Sequence, residues 1–206
     1  ADPEGVSKAA EMLLAAQRPV ILVGQGVRYG GATKELLALA ERLRIPVACS
    51  ASGMGAIDSS HPLALGLVAR NGTYQANHAA RQADVLLALG VRFDDRTSSS
   101  WLQGYSFTIP PTKLIHVDID PDEIARNYPV ALGLMADVRT FLRQLIAELD
   151  ARTARGEVPA ERAAWLDAIA SYRKEWEAFI APGFKVDTTP ISPQRAAFEI
   201  DRVLPA

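Results

Sequence analysis

The sequence predicts an α/β fold built on a parallel sheet, and three observations carry that expectation. Apolar runs of strand length, above all Leu86-Leu87-Ala88-Leu89, show no polar alternation, as in strands buried on both faces. Stretches with apolar residues at helical spacing separate those runs. The runs also end in small or acidic residues: Gly24, Gly90, and the pair Asp118 and Asp120. In open α/β sheets ligands lie at such carboxyl ends.

The elements follow in order. Residues 3–17 place Val6, Ala9, Met12, Leu13 and Ala16 at helical spacing, and residues 19–23 form the first buried strand. A glycine-rich stretch, 24–31, stops that strand before a helix over about 32–43, and a second strand is expected over 45–48. Residues 53–66 are too rich in turn formers for a regular element and are expected as an ordered loop over the sheet edge. A short helix over 74–82 precedes the central strand, which opens at Gly90 into a polar loop. The irregular connection 97–111 has a length that is usually functional or meets a neighbour. The next strand covers 113–120, and Pro121 is expected to open a helix. A last strand is expected over 130–135 and a helix over 138–149, followed by a linker over 151–158. Beyond it Trp165, Ile169, Tyr172, Trp176 and Ile180 fall on one helical stripe, expected to pack on this domain or on a neighbouring chain. Pro182-Gly183 ends that helix, and the helix from Pro190 to Leu204 stops so abruptly that the chain reads as a piece of a longer protein.

Composition narrows the function. Hydrophobic content of 49%, charge of 22% and a net charge of -2 over 206 residues describe a globular protein with no reason to bind nucleic acid or an anionic membrane. No apolar run approaches the roughly 18 residues of a membrane span, and the first residues lack a signal peptide's regions, so a cytoplasmic location is expected. The single cysteine, Cys49, reads as a small strand-end residue, with a reactive thiol the alternative, and three scattered histidines give no metal-ligand cluster. His61 has no nucleophile or metal partner near it in sequence.

Strand, glycine loop and helix together make a phosphate-cradle arrangement, because glycine lets backbone approach an anion and a helix start favours negative charge. The alternative is that the glycines serve only a tight turn. The dinucleotide fingerprint requires a third glycine at a position where this loop has Tyr29, with Gly30 one place late. It also requires an acid about 20 positions on, and the second strand ends instead in Cys49-Ser50-Ala51-Ser52-Gly53. An ordinary nicotinamide dehydrogenase is therefore disfavoured. Asp118 is the better ligand candidate of the two acids ending the 113–120 strand, since a carboxylate there can hold ribose hydroxyls, whereas Asp120 reads as a helix cap.

The residues Gly24-Gln25-Gly26, Ile45-Pro46-Val47, Gly53-Met54-Gly55, His61-Pro62-Leu63-Ala64-Leu65-Gly66, Gly72-Thr73-Tyr74-Gln75-Ala76-Asn77, Ala83-Asp84, Gly90-Val91-Arg92-Phe93-Asp94-Asp95-Arg96 and His116-Val117-Asp118-Ile119-Asp120-Pro121 carry a resemblance. Nearly the whole chain resembles the central domain of thiamine-diphosphate-dependent enzymes, within them the acetolactate (acetohydroxyacid) synthase group. The resemblance implies a Rossmann-like six-stranded parallel sheet with helices on both faces, over residues 1–155, with 156–206 a helical linker and the start of the diphosphate-binding domain. It implies FAD, in a non-redox role, or another adenine nucleotide such as ADP. Gly24, Gln25 and Gly26 with Gly72 and Thr73 would face the diphosphate and ribityl region, and Gly90, Val91 and Arg92 would line the cofactor. Asp118 and Ile119 would hold the adenosine side, Asp137 and Val138 the adenine, while Ser50, Ala51, Arg70 and Asn71 would approach the flavin ring.

Three departures fall on the flavin side: Gln25 replaces a third consecutive glycine, Ala51-Ser52 replaces Leu-Met, and Arg70-Asn71 replaces Met-His. A ligand-free structural and subunit-contact domain is thus the alternative. The family's Gly-Asp-Gly…Asn motif for the diphosphate and Mg²⁺ does not occur here, and the catalytic glutamate belongs to the pyrimidine-binding domain. The chain is therefore expected to be inactive alone, with no catalytic or metal-binding residue of its own. The resemblance implies that thiamine diphosphate and Mg²⁺ belong to a homo-oligomeric parent containing the two other domains.

Overall fold

The computed structural model describes residues 1–152 and 161–204. Six strands form one wholly parallel sheet: β1 (Pro19–Val23), β2 (Val47–Cys49), β3 (Ala64–Leu67), β4 (Val85–Leu89), β5 (Lys113–Asp118) and β6 (Leu132–Met135), in spatial order β3-β2-β1-β4-β5-β6. The apolar runs put β1 and β4 at the centre, paired in register from Pro19 with Val85 to Val23 with Leu89.

Strand side chains alternate between faces, which divides the core in two. Ile21, Val23, Leu87, Leu89, Ile115 and Val117 pack with α1 (Pro3–Ala15), α3 (Thr33–Leu43) and α5 (Val138–Arg152). Val20, Leu22, Leu86, Ala88 and Leu114 pack with α4 (Tyr74–Gln82) and α6 (Glu161–Ile180). The aromatic stripe of α6 thus turns back onto this domain. Trp165 and Ile169 are buried, the Trp165 indole N–H donates to the Pro19 carbonyl at 3.2 Å, and Tyr172 donates to Gln82 Oε1 at 3.1 Å. The buried Arg162 donates to the carbonyls of Leu13 and Leu43, in the last turns of α1 and α3, so one guanidinium from α6 caps two helices. Burial pulls its pKa down to about 10, which still leaves it charged at neutral pH.

Several elements differ from expectation. The turn-rich stretch contains a strand, β3, which pairs only with β2 and shifts register between Val47 and Ala48. The glycine-rich stretch contains a five-residue helix, α2 (Gln25–Tyr29), ahead of α3. The helix expected from Pro121 is a single 3-10 turn, Pro121–Glu123, because Ile124 is extended and Ala125 is left-handed at φ 62°. The second strand starts at Val47, two residues late: the Ile45 N–H is taken by the Ala40 carbonyl at 2.9 Å, and Pro46 has none. The expected linker over 151–158 starts inside α5, which runs to Arg152, and its residues 153–158 lie outside the described residues. A last helix, α7 (Pro193–Asp201), is capped by Ser192. No described helix is long and apolar enough to cross a membrane.

Candidate functional site at the carboxyl ends of the strands

The connections from β1 and β4 leave toward opposite edges of the sheet, so a crevice opens beyond their carboxyl ends. Gly24 and Gly90 are the first residues past those strands. Their loops meet backbone to backbone: a β carbon on Gly24 would lie 2.0 Å from the Gly90 carbonyl oxygen. Gly24 N–H donates to Leu89 O at 3.0 Å, Gly26 N–H to Gly90 O at 3.4 Å and Val27 N–H to Gly24 O at 3.3 Å. The glycine amides of this loop are therefore not free to cradle an anion. The amides of Gly24, Gly26 and Val27 are engaged inside the protein, and small residues are needed here because two chain segments touch.

Above this contact lies a cleft of about 430 Å³, within the size range of small-molecule sites. Ten of the residues singled out from the sequence line it: Gln25, Gly26, Ser50, Gly90, Val91, Arg92, Asp118, Ile119, Asp137 and Val138. They come from the ends of β1, β2, β4, β5 and β6, which the sheet order brings to one edge. Asp118 is buried at the end of β5, and its Oδ1 accepts from the Asp120 N–H at 3.0 Å. Asp120 caps the following turn by accepting from Asp122 N–H at 3.0 Å, as its position in sequence implies. Asp137 caps α5, accepting from the Thr140 N–H and hydroxyl at 2.8 and 2.9 Å through Oδ1.

Arg92 is 69% exposed, and its Nε lies 3.8 Å from Oε1 of the buried Glu123, beyond hydrogen-bond length. Among the described residues it is the one lysine or arginine lining the cleft, which also has Asp94, Asp118 and Asp137 in its lining. Asp94 in turn accepts from the Thr97 N–H at 2.8 Å and so shapes the loop after β4.

Six predicted residues lie outside the cleft lining. Gly24 is buried, and the exposed Ala51 opens a 3-10 turn, Ala51–Gly53. Arg70, Asn71, Gly72 and Thr73 lie past the edge strand β3. There Arg70 donates to Ser100 Oγ at 2.6 Å and lies 3.6 Å from Asp95. Gly72 fits closely against the Leu67 carbonyl, and Thr73 caps α4 while donating to Leu65 O at 2.7 Å. Sequence reasoning missed Tyr29, Gly30, Ser52, Asp94 and Thr97 as lining residues. Asp94 and Thr97 had a signal, their place in the polar loop after the central strand. Tyr29 had none, since it is placed by a five-residue helix that no pattern announces.

Cys49 is buried, and burial pushes its thiol from an ordinary 9.0 up to about 11. His61 lies 3.2 Å from Glu41 Oε1 at the far end of α3's surface. Among the described residues no three His, Cys, Asp or Glu side chains converge as a metal site requires.

An open parallel sheet with a crevice at the reversal of strand order defines a doubly wound, Rossmann-like α/β domain. Residues 6–145 match the family described as "Thiamine pyrophosphate enzyme, central domain", and the chain belongs to that family. Within it the chain is similar to large subunits of acetolactate synthases. It is 38% identical over 202 residues to the "Probable acetolactate synthase large subunit" of Methanocaldococcus jannaschii, covering 98% of this chain and 32% of that protein. It is 37% identical over 177 residues to the "Acetolactate synthase" of Mycobacterium bovis, covering 86% and 28% respectively. To "Acetolactate synthase isozyme 3 large subunit" of Escherichia coli it is 33% identical over 189 residues, covering 92% and 31%. The chain thus spans about a third of the length of the curated relatives it matches.

Proposed function

We propose that this chain is the nucleotide-binding middle domain of a thiamine-diphosphate-dependent carboligase or decarboxylase resembling acetolactate synthase, and that its cleft holds FAD or another adenine nucleotide. One observation carries the reading: a buried carboxylate, Asp118, lines a cleft walled by Val91, Ile119 and Val138 at the carboxyl edge of the sheet. Such a carboxylate can accept from ribose hydroxyls, while the apolar walls and the Asp137-Val138 start of α5 suit an adenine ring. The donor set fits adenosine better than diphosphate, because Arg92 is the cation of the described lining and the amides of Gly24, Gly26 and Val27 are engaged. Arg92 would meet phosphate oxygens.

The engaged amides favour a second reading, a ligand-free structural and subunit-contact domain. Titrating the full-length protein calorimetrically with adenosine, ADP and FAD separates the two. Under the nucleotide reading all three bind, and Asp118→Asn weakens each by roughly tenfold or more, the loss of a hydrogen bond to a charged group. Heat from none of them supports the structural reading.

In the whole protein, thiamine diphosphate with Mg²⁺ would supply the chemistry of 2-oxo acid decarboxylation and carbon–carbon bond formation from the two other domains. This chain would contribute no catalytic residue, with 1–155 as the nucleotide domain and 156–206 leading into the diphosphate-binding domain of a cytoplasmic homo-oligomer.

A further inference from the structure

Glu123 is a buried acid between two arginines. Its side chain is 8% exposed, Oε1 accepts from Arg126 Nη1 at 3.0 Å, and Arg92 Nε stands at 3.8 Å from the same oxygen. Oε2 is buried with no hydrogen-bond partner among the described residues. The backbones are tied as well: Asn127 Nδ2 donates to the carbonyls of Arg92 and Phe93 at 3.2 and 3.1 Å, and His116 Nε2 lies 2.9 Å from the Val91 carbonyl. The turn after β5 therefore holds the loop after β4 in place while leaving the Arg92 side chain loosely held.

We propose that Glu123 and Arg126 together set how readily Arg92 reaches an anionic ligand in the cleft, Glu123 by holding the Arg92 charge and Arg126 by letting it go. The inference rests on the nucleotide reading above. A buried carboxylate stripped of its counter-cation carries a large desolvation penalty. Were Arg92 its sole partner, a phosphate could recruit Arg92 only by orphaning Glu123. Arg126 removes that obstacle, since its hydrogen bond to Oε1 persists when Arg92 turns away. The 3.8 Å separation and the 69% exposure of Arg92 make its own pairing the weaker of the two. Glu123 is thus a competitor with the ligand for Arg92, and Arg126 is a positioning residue that weakens the competition without touching the ligand.

The test is calorimetric titration of the full-length protein with ADP, which carries phosphate, and adenosine, which does not. Glu123→Gln should tighten ADP by roughly two- to fivefold, and Arg126→Ala should weaken it by a similar factor, the range an exposed ion pair supplies. Adenosine affinity should stay unchanged in both, and the ADP effects should shrink at high salt. If ADP and adenosine bind the wild type but neither variant changes their ratio, or both change it in the same direction, this inference is wrong and the nucleotide reading stands. If neither ligand binds the wild type, the nucleotide reading falls and takes this inference with it. Should Glu123→Gln fail to fold, Arg126→Ala decides alone, because it replaces a side chain that is 61% exposed.

Discussion

Gly26 and Gly90 touch across the point where the chain leaves the two central strands. A β carbon on Gly90 would lie 2.6 Å from the Gly26 α carbon, and one on Gly26 would lie 2.8 Å from that of Gly90. Gly90 is also left-handed, at φ 59°. Gly26→Ala should therefore cost about 1–3 kcal/mol through overlap alone, and Gly90→Ala about 1–2 kcal/mol more for its backbone conformation. Urea unfolding at neutral pH checks both. Equal costs, or a loss below about 0.5 kcal/mol in either, which is the scale of an ordinary surface substitution, would mean that the two loops do not meet in this way.

The α6 helix is expected to be part of the folded domain. Trp165→Ala removes a buried ring and its bond to the Pro19 carbonyl, and should cost about 3–5 kcal/mol. Trp176 is half-buried and stacked on Tyr74 with centroids 6.4 Å apart, so Trp176→Ala should cost about 1 kcal/mol. The thermal melts of the two variants should differ accordingly. Equal, negligible shifts would show that α6 contributes nothing to the domain's stability.

Glu35 gives the acid limb of stability a definite sign. The hydrogen bond from Arg139, joined by Arg143, lowers its pKa from 4.5 to about 2. A carboxylate depressed in the folded state stabilises above its unfolded value, and that contribution is lost as pH falls from about 4.5 toward 2. Glu35→Gln should flatten the pH dependence of the urea midpoint within this window and leave the neutral-pH dependence alone. An unchanged acid limb would mean that the α3–α5 ion pairs are idle.

Cys49 behaves oppositely. Burial raises its thiol from 9.0 to about 11, so as pH climbs through that interval the unfolded state loses a proton that the native state keeps. Stability should fall across this range, and by less in Cys49→Ala. The same burial predicts that a thiol reagent at pH 8 modifies the urea-unfolded chain at least tenfold faster than the native one. Equal rates would place Cys49 at the surface.

The strands that build the core were legible because Val20 to Val23 and Leu86 to Leu89 are apolar without alternation, a pattern that burial on both faces produces. β3 was illegible for the converse reason. It has four residues, follows His61-Pro62 and pairs on one side only, so neither its length nor its flanks separate it from a loop. The site was readable where it hangs on strand ends, as at Gly90 to Arg92 and Asp118 to Ile119, since sheet order brings such ends together. It was unreadable where position depends on short-range geometry. Gly24 to Gly26 have the composition of an anion cradle, yet the amides of Gly24 and Gly26 are taken by the carbonyls of Leu89 and Gly90, at the end of β4. Arg92 was expected to line the cofactor. The acid beside it is Glu123, some thirty residues on, and only the 3-10 turn after β5 brings it there.

The most direct test of the nucleotide-binding claim is to purify the full-length protein without added cofactor, denature it, and identify the released small molecules by mass spectrometry alongside an Arg92→Ala variant. The expected result is an adenine nucleotide, FAD or ADP, in near one-to-one ratio with the chain. Arg92→Ala should hold it more weakly by about 1.5–3 kcal/mol, the range of a hydrogen bond to a charged group, with the melting temperature of the ligand-free protein nearly unchanged. Release of no nucleotide, together with no heat on adding ADP or FAD, would contradict the claim and leave this domain a structural one.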